Sequence, residues 1–412
     1  MQECATHDEQ HADRDAPDIP RRPARLRQHG GDDRRDATHD PDVTTKDVTT
    51  EDVTTEDEQR RDALAERLFG SLLAGNELLT VELGRRLGLY TAVHSHGHTT
   101  AAQLAAGTGI AQRYAKEWLE QQAAAGILDV DGEHFTLPAA HVPVLLVDTD
   151  PAHLMGAAPM LAALAATLPA VATAYQSGSG VPYEEFGTEL RHGIAAFNRP
   201  AFTNDLAGWF ETMPDVASRL SAGGQVLDLG CGTGWSSIAI AEAFPAARVH
   251  GVDTDTASID EARRHAAHAG VAERVTFTTA NAADVPADQP YDLACAFEAL
   301  HDMGEPVRVL RATRAALAPG APVLIVDERV SETFTAPADE VERMMYSFSV
   351  LHCLPATMAE STAVANGTML RPATVRDWAR QAGYPTVDVL PIENPFWRFY
   401  RLDTPATSES TG

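Results

Sequence analysis

The stretch VLDLGCGTGWSS, from Val226 to Ser237, decides how the rest of the chain is read. Val226, Leu227 and Leu229 form an apolar run of the length of one buried strand. Gly230-Cys231-Gly232-Thr233-Gly234 breaks it, and Ser236-Ser237-Ile238-Ala239-Ile240 opens a helical pattern. Strand, glycine turn and helix in that order make a nucleotide-type site, because glycine lets the backbone turn sharply and approach a ligand closely. A dinucleotide fingerprint, G-x-G-x-x-G, would put its third glycine at position 235. Trp235 stands there, and the third glycine comes one residue early, at Gly234. Asp228 lies two residues before the first glycine, where a carboxylate suits a cationic, phosphate-free ligand better than a pyrophosphate.

Working downstream, residues 248–252 read as a second strand ending at Asp253, whose carboxylate can accept both hydroxyls of a ribose. A helix over 257–269 follows, then a third strand over 275–279 that ends at Asn281-Ala282-Ala283-Asp284. The fourth strand, 291–297, runs into Glu298-Ala299-Leu300-His301-Asp302-Met303, and the fifth, 321–326, into Asp327-Glu328-Arg329. A helix over 374–382 precedes a closing strand pair, 386–390 and 396–401.

With these motifs in order, the chain resembles the class I S-adenosylmethionine-dependent methyltransferases over about residues 60–402. Their first motif is of the E/D-x-G-x-G-x-G type. The resemblance implies an α/β fold, a Rossmann-like seven-stranded sheet whose last strand is antiparallel, and S-adenosylmethionine as cofactor. It implies that Asp228 and the Gly230, Cys231, Gly232 and Gly234 turn hold the methionine part and that Asp253 holds the ribose. Thr254, Asn281, Ala282 and Phe297 complete the expected cofactor contacts. The family usually has an aspartate where Asn281 stands; an asparagine oxygen can accept the same bond from the adenine amino group without charge.

The Leu300-His301-Asp302 segment resembles the L-H-D-W segment of small-molecule O-methyltransferases with an N-terminal winged helix, with Met303 in place of the tryptophan. In that family the histidine is the general base. A hydroxyl must lose a proton as it attacks a sulfonium methyl group, and neutral imidazole titrates in the right range. Asp302, Glu298 or Asp327 could orient the ring. The alternative is a histidine that only caps or packs, in an enzyme that works by positioning alone; such an enzyme could methylate carbon or nitrogen, on a small molecule or a peptide.

Upstream, residues 1–58 are rich in Asp, Arg, His and Thr and poor in large apolar residues, so they cannot bury enough surface to offset their ordering entropy. Their tandem DVTTK-DVTTE-DVTTE repeat reads as low complexity. Over 59–148 the pattern is helical and closes with a hairpin on Asp131-Gly132, which together read as a winged helix. A helix over 111–125 should carry Tyr114, Trp118, Leu119 and Ala123 on its inner face. Arg113, Tyr114 and Lys116 could read DNA, as in a cofactor-sensing regulator. So few cations favour instead a dimerisation and substrate-capping domain. His94, His96 and His98 lack a cysteine or carboxylate beside them and read as a loop rather than a metal site.

Residues 149–218 read as a helical linker that walls the active site. The uncharged stretch 154–175 contains Pro159 and Pro169 and reads as a buried helix pair, not a membrane span. Tyr183, Phe186, Asn198 and Phe202 are candidate substrate contacts from this region. Within an insertion over 331–370, Met345, Phe348 and His352 are candidates from a lid suited to an apolar or aromatic acceptor. The catalytic domain is expected over 219–402, with a flexible tail over 403–412.

Composition narrows the classes further. The net charge of −27 opposes phosphate-backbone binding, so nucleic acid is not an expected partner. The four cysteines form no C-x-x-C pair, which fits a reducing cytosol and supplies no metal site. The polar N-terminus carries no signal-peptide pattern, so a cytoplasmic location is expected. The sequence is therefore expected to encode a methyltransferase acting on a small molecule, dimeric through its winged helix, with His301, Glu298 and Asp302 at the reacting centre.

Overall fold

The computed structural model describes residues 54–285 and 290–404, of which 62–404 belong to one compact unit. The expected low-complexity tail lies outside the described residues up to position 53, as do residues 405–412. The first helix, α1 (Thr55–Arg86), starts inside the last repeat, before the expected end of the tail. Thr54 and Asp57 cap it reciprocally: Asp57 N donates to Thr54 Oγ1 at 3.2 Å and Thr54 N to Asp57 Oδ2 at 3.3 Å. A Thr and an acidic residue three apart, ahead of a helical run, suffice to start it.

The N-terminal region continues with α2 (Leu89–His96), α3 (Ala101–Thr108) and α4 (Gln112–Ala124). Strands β1 (Asp129–Asp131) and β2 (His134–Thr136) pair antiparallel around Gly132, whose φ of 59° the tight turn requires. Thr100 and Gln103 form the capping box of α3. Leu89, Tyr90, Val93, Leu104, Trp118 and Leu119 build the core. Two expectations are corrected here. Tyr114 is 75 % exposed, because the buried face of α4 runs through Ala115, Trp118, Leu119 and Gln122. His94 and His96 form the last turn of α2 rather than a loop; His96 Nδ1 lies 2.7 Å from the Ala92 carbonyl and His98 Nδ1 2.9 Å from Thr136 Oγ1.

The linker comprises α5 (Val142–Leu146), α6 (Ala157–Ser177), α7 (Gly187–Asn204), α8 (Leu206–Trp209) and α9 (Pro214–Ser221). The expected helix pair over 154–175 is the single helix α6. Pro159 sits in its first turn, where no N–H is needed, and Pro169 removes only one bond from a long helix. By length and composition alone α6 could cross a membrane. It packs on α7 through a cluster that includes Met160, Leu164, Val171, Phe186 and Leu190.

A seven-stranded sheet follows, of order β5-β4-β3-β6-β7-β9-β8. Its strands are β3 (Gln225–Leu229), β4 (Arg248–Asp253), β5 (Val275–Thr279), β6 (Leu293–Phe297), β7 (Val323–Glu328), β8 (Thr386–Val389) and β9 (Trp397–Asp403). The first five are parallel, and β9 runs antiparallel to both β7 and β8. β7 continues two residues past the predicted end, so Asp327 and Glu328 belong to the strand. Helices α10 (Trp235–Ala243), α11 (Thr256–His268), α12 (Pro306–Ala316) and α15 (Pro372–Ala382) cover the sheet, and two apolar clusters occupy its faces. The insertion after β7 forms α13 (Glu340–Phe348) and α14 (Leu354–Glu360), joined by a π-helical turn, Ser349–Cys353. Such turns re-aim side chains in the middle of a helix.

Candidate active site

Strand order reverses between β3 and β6, and open parallel sheets leave a crevice at such a point beyond the strands' carboxyl ends. Here it is a cavity of about 810 Å³. At one end the glycine turn is held by the neighbouring strand. Gly230 N and Cys231 N both donate to the Val252 carbonyl, at 2.8 and 3.1 Å. Gly230 has a φ of 67°, and a Cβ there would lie 2.6 Å from Ala299 Cβ, so only glycine fits. Asp253 accepts Gly232 N at 2.8 Å on one oxygen and Asp255 N at 2.8 Å on the other, which fixes its carboxylate and leaves each oxygen a lone pair. Burial pushes its pKa above the ordinary carboxylate value. A Cβ on Gly232 would meet nothing within 4 Å, so the face of the turn is open. A half-buried diol acceptor beside an open peptide turn fits an adenosyl cofactor.

Cys231, Gly232, Thr254, Asn281, Ala282 and Phe297 line the cavity as expected. Asn281 Oδ1 already accepts Ala283 N at 2.8 Å, so one of its two lone pairs caps the turn. Asp228 and Gly234 do not line the cavity. Asp228 is 1 % exposed and accepts from Ser236 Oγ at 2.7 Å and Ser237 Oγ at 2.6 Å, tying β3 to α10 from behind the turn. Burial pushes its carboxyl up to about 6. Gly234, at φ 86°, leaves room for packing, since a Cβ would meet Phe277 at 2.8 Å and Ala262 at 2.9 Å. Trp235, at the place of the missing dinucleotide glycine, lines the cavity between the Arg199 guanidinium, 3.7 Å from its ring centre, and His265, stacked at 4.3 Å.

At the other end His301 is 3 % exposed. Its Nδ1 lies 2.8 Å from Asp327 Oδ1, and its Nε2 lies 3.3 Å from Asp302 Oδ1. Burial opposes charge on the ring, but the Asp302 and Asp327 carboxylates outweigh it and raise its pKa well above the ordinary histidine value. Of the three candidate orienting groups, Asp327 and Asp302 contact the ring. The oxygens of Glu298 go instead to Asn198 Nδ2 and Trp397 Nε1. Glu298 has a φ of 48°, a backbone state costly for a side chain and common where structure serves a site. Burial raises the pKa of this carboxyl too.

The near wall holds Tyr183, Asn198 and Phe202, as expected; Phe186 does not line the cavity but packs edge-on against His352, ring centres 4.6 Å apart. The insertion contributes Met345, Phe348 and His352. Desolvation lowers the pKa of His352, favouring its neutral form. Among the lining residues that sequence reasoning missed, four stand out. Glu328 was hidden by the early strand end. Arg191 bonds Asp255 at 2.7 Å, Glu360 accepts Gly304 N at 2.9 Å, and Thr368 had no recognisable signal. His301, Asp302 and Cys353 also bring ligand atoms within 4.8 Å of one another. Burial pushes the Cys353 thiol up to about 12.

Comparison with known proteins agrees with this geometry. A family model described as a methyltransferase domain matches residues 220–379, and one described as an Rv2258c-like winged HTH domain matches 75–146. The ubiquinone biosynthesis O-methyltransferase of Stutzerimonas stutzeri is 29 % identical over 182 residues, covering 44 % of this chain and 73 % of that protein. The mitomycin 7-O-methyltransferase MmcR superposes with a TM-score of 0.59 at 19 % identity, over 84 % of this chain and all of that one. Human N-acetylserotonin methyltransferase, solved with S-adenosylmethionine, superposes at 0.58 and 17 % identity, over 83 % of this chain and 98 % of that one. The two structural likenesses establish the fold; the sequence matches carry the activity. The chain is a class I S-adenosylmethionine-dependent methyltransferase with an N-terminal winged-helix domain.

Proposed function

We propose that the enzyme methylates a hydroxyl oxygen of a small, largely apolar acceptor, with His301 as general base. The observation that supports this most directly is the buried His301–Asp327 pair at the cavity wall, 2.8 Å apart. Asp253 and the Gly230–Thr233 backbone hold the cofactor, and Asp327 fixes the tautomer of His301 by accepting from Nδ1. When bound, the cofactor supplies an electrophilic methyl group and a positive sulfonium. In the free protein the Asp302 and Asp327 carboxylates favour the protonated form of His301. Beside a second positive charge its imidazolium is disfavoured, so the ring gives up that proton and can accept one from the acceptor. Met345, Phe348 and Phe202 exclude water around the reacting atoms.

The test is His301→Ala with methyl-labelled cofactor, using acceptors identified by mass spectrometry of treated extracts. Loss of a positioned base should lower kcat by about 10²–10⁴ while cofactor affinity stays unchanged. Activity near wild type would instead favour methyl transfer by positioning, at carbon or nitrogen. We further infer that two copies associate through the N-terminal region, where Leu64, Leu68, Phe69, Leu72 and Leu73 of α1 are exposed as an apolar stripe. Nucleic acid is a poor partner for this region, because on α4 Arg113 pairs with Glu117 and Lys116 with Glu120. Three buried, unbridged thiols suit a cytoplasmic setting.

A further inference from the structure

Four buried polar atoms of residues that line the cavity lack a hydrogen-bond partner: Glu328 Oε2, Asp302 Oδ1, His352 Nε2 and Thr368 Oγ1. Asp302 Oδ1 has only its 3.3 Å contact with His301. Glu328 and His352 are 5 % and 3 % exposed, so bulk water does not solvate them. Leaving such atoms unpaired is costly, which points to a ligand that completes them. The other carboxylates near them are already engaged. Glu298 is held by Asn198 and Trp397, Glu360 by Gly304 N, and Asp327 by His301. Lysine and arginine are scarce there as well. Arg191 is the one Lys or Arg side chain lining the cavity among the described residues, and it is spent on Asp255 and Glu261. Two of the unpaired atoms are carboxyl oxygens, which an ammonium group can satisfy by charge as well as by hydrogen bond. Met345 and Phe348, across the same space, offer contact to an apolar body.

We propose that the methyl acceptor carries a basic nitrogen on an apolar or aromatic body, and that Glu328, with Asp302, receives its ammonium group. This rests on the methyl-transfer reading above. Because burial raises the pKa of Glu328 well above the ordinary value, reinforced by Glu298, Asp327 and Asp302 and opposed by His301, the carboxyl gives up a proton as the cation enters.

The test is calorimetry on the full chain saturated with S-adenosylhomocysteine. The probes share one ring: dopamine as cation, 4-methylcatechol as neutral and 3,4-dihydroxyphenylacetate as anion. The expected result is at least tenfold tighter binding of the cation than of the neutral probe, with the anion weakest. Glu328→Gln should reduce the cation's advantage to threefold or less; should that variant fail to fold, Asp302→Asn carries the same expectation. Equal or better binding of the neutral or anionic probe overturns the proposal, as does an undiminished preference in a folded variant or no binding of any probe to the loaded protein. Absence of heat with S-adenosylhomocysteine itself would overturn the methyl-transfer reading and the acceptor assignment with it, a failure distinct from the others.

Discussion

Replacing Asp327 by Asn tests the centre of the site without any ligand. The residue is fully buried, and one side chain does three things. Oδ1 meets His301 Nδ1 at 2.8 Å and Glu328 N at 3.0 Å, and Oδ2 accepts His301 N at 3.3 Å. An amide keeps the shape, removes the charge, and turns one acceptor into a donor that must face another N–H. Removing one partner of a buried ion pair costs about 3–5 kcal/mol, and that is the expected loss at pH 6. His301 has a folded-state pKa well above the ordinary value. The pair's contribution is therefore complete below the unfolded histidine value and is lost as pH rises through the folded one. Above that folded value, what remains to lose is the hydrogen bonding of a neutral ring and two amides to a carboxylate, about 1.5–3 kcal/mol. The difference between the two losses is the ionic part of the pair. Urea unfolding of both proteins, followed by tryptophan fluorescence at several pH values, measures it. A loss under about 1 kcal/mol at pH 6, or a loss that does not shrink with pH, would refute the assignment of a charged, mutually stabilised pair.

Other substitutions separate the parts of the site. Gly234→Ala should destabilise the protein by about 2–5 kcal/mol, adding left-handed backbone strain to overpacking against Phe277 and Ala262, as read from the urea midpoint. Asp253→Ala should leave a folded protein whose affinity for S-adenosylhomocysteine, measured by calorimetry, falls by at least about tenfold, the value of one lost hydrogen-bonding group. Leu68→Asp with Leu72→Asp, placed on the exposed stripe of α1, should convert dimer to monomer in sedimentation without changing cofactor affinity; an unchanged oligomer would end that reading.

Much of the sheet could be read in advance because its central strands are short apolar runs closed by glycine or acidic residues, a pattern few other structures share. Depth within the site was less legible. The first motif puts Asp228 in the right order along the chain but does not say which way a strand residue points. Ser236 and Ser237, eight and nine residues on in the first turn of α10, supply the two hydroxyls that claim its carboxylate. Phe186 was misjudged for a related reason: an aromatic residue in a wall segment can face the cavity or brace the residue that does. Glu328 was overlooked because a carboxylate inside a strand violates hydropathy, and only the converging chain segments show that it is buried against a cavity. The π-helical turn that aims His352 inward has no pattern of its own; it shows only as a longer amphipathic run.

The carboxylate of Glu298 joins α7 through Asn198 to β9 through Trp397. These anchors lie 199 residue numbers apart, with the glycine turn between them in the chain. During synthesis, Asn198 and the turn leave the ribosome long before Trp397 does. The nascent chain should therefore pass through a stage in which the nucleoside end is formed while the acceptor end still lacks its closing wall. Competence for methyl transfer would then arrive last, when the final strand docks, so that an unfinished chain can hold cofactor without yet being able to use it.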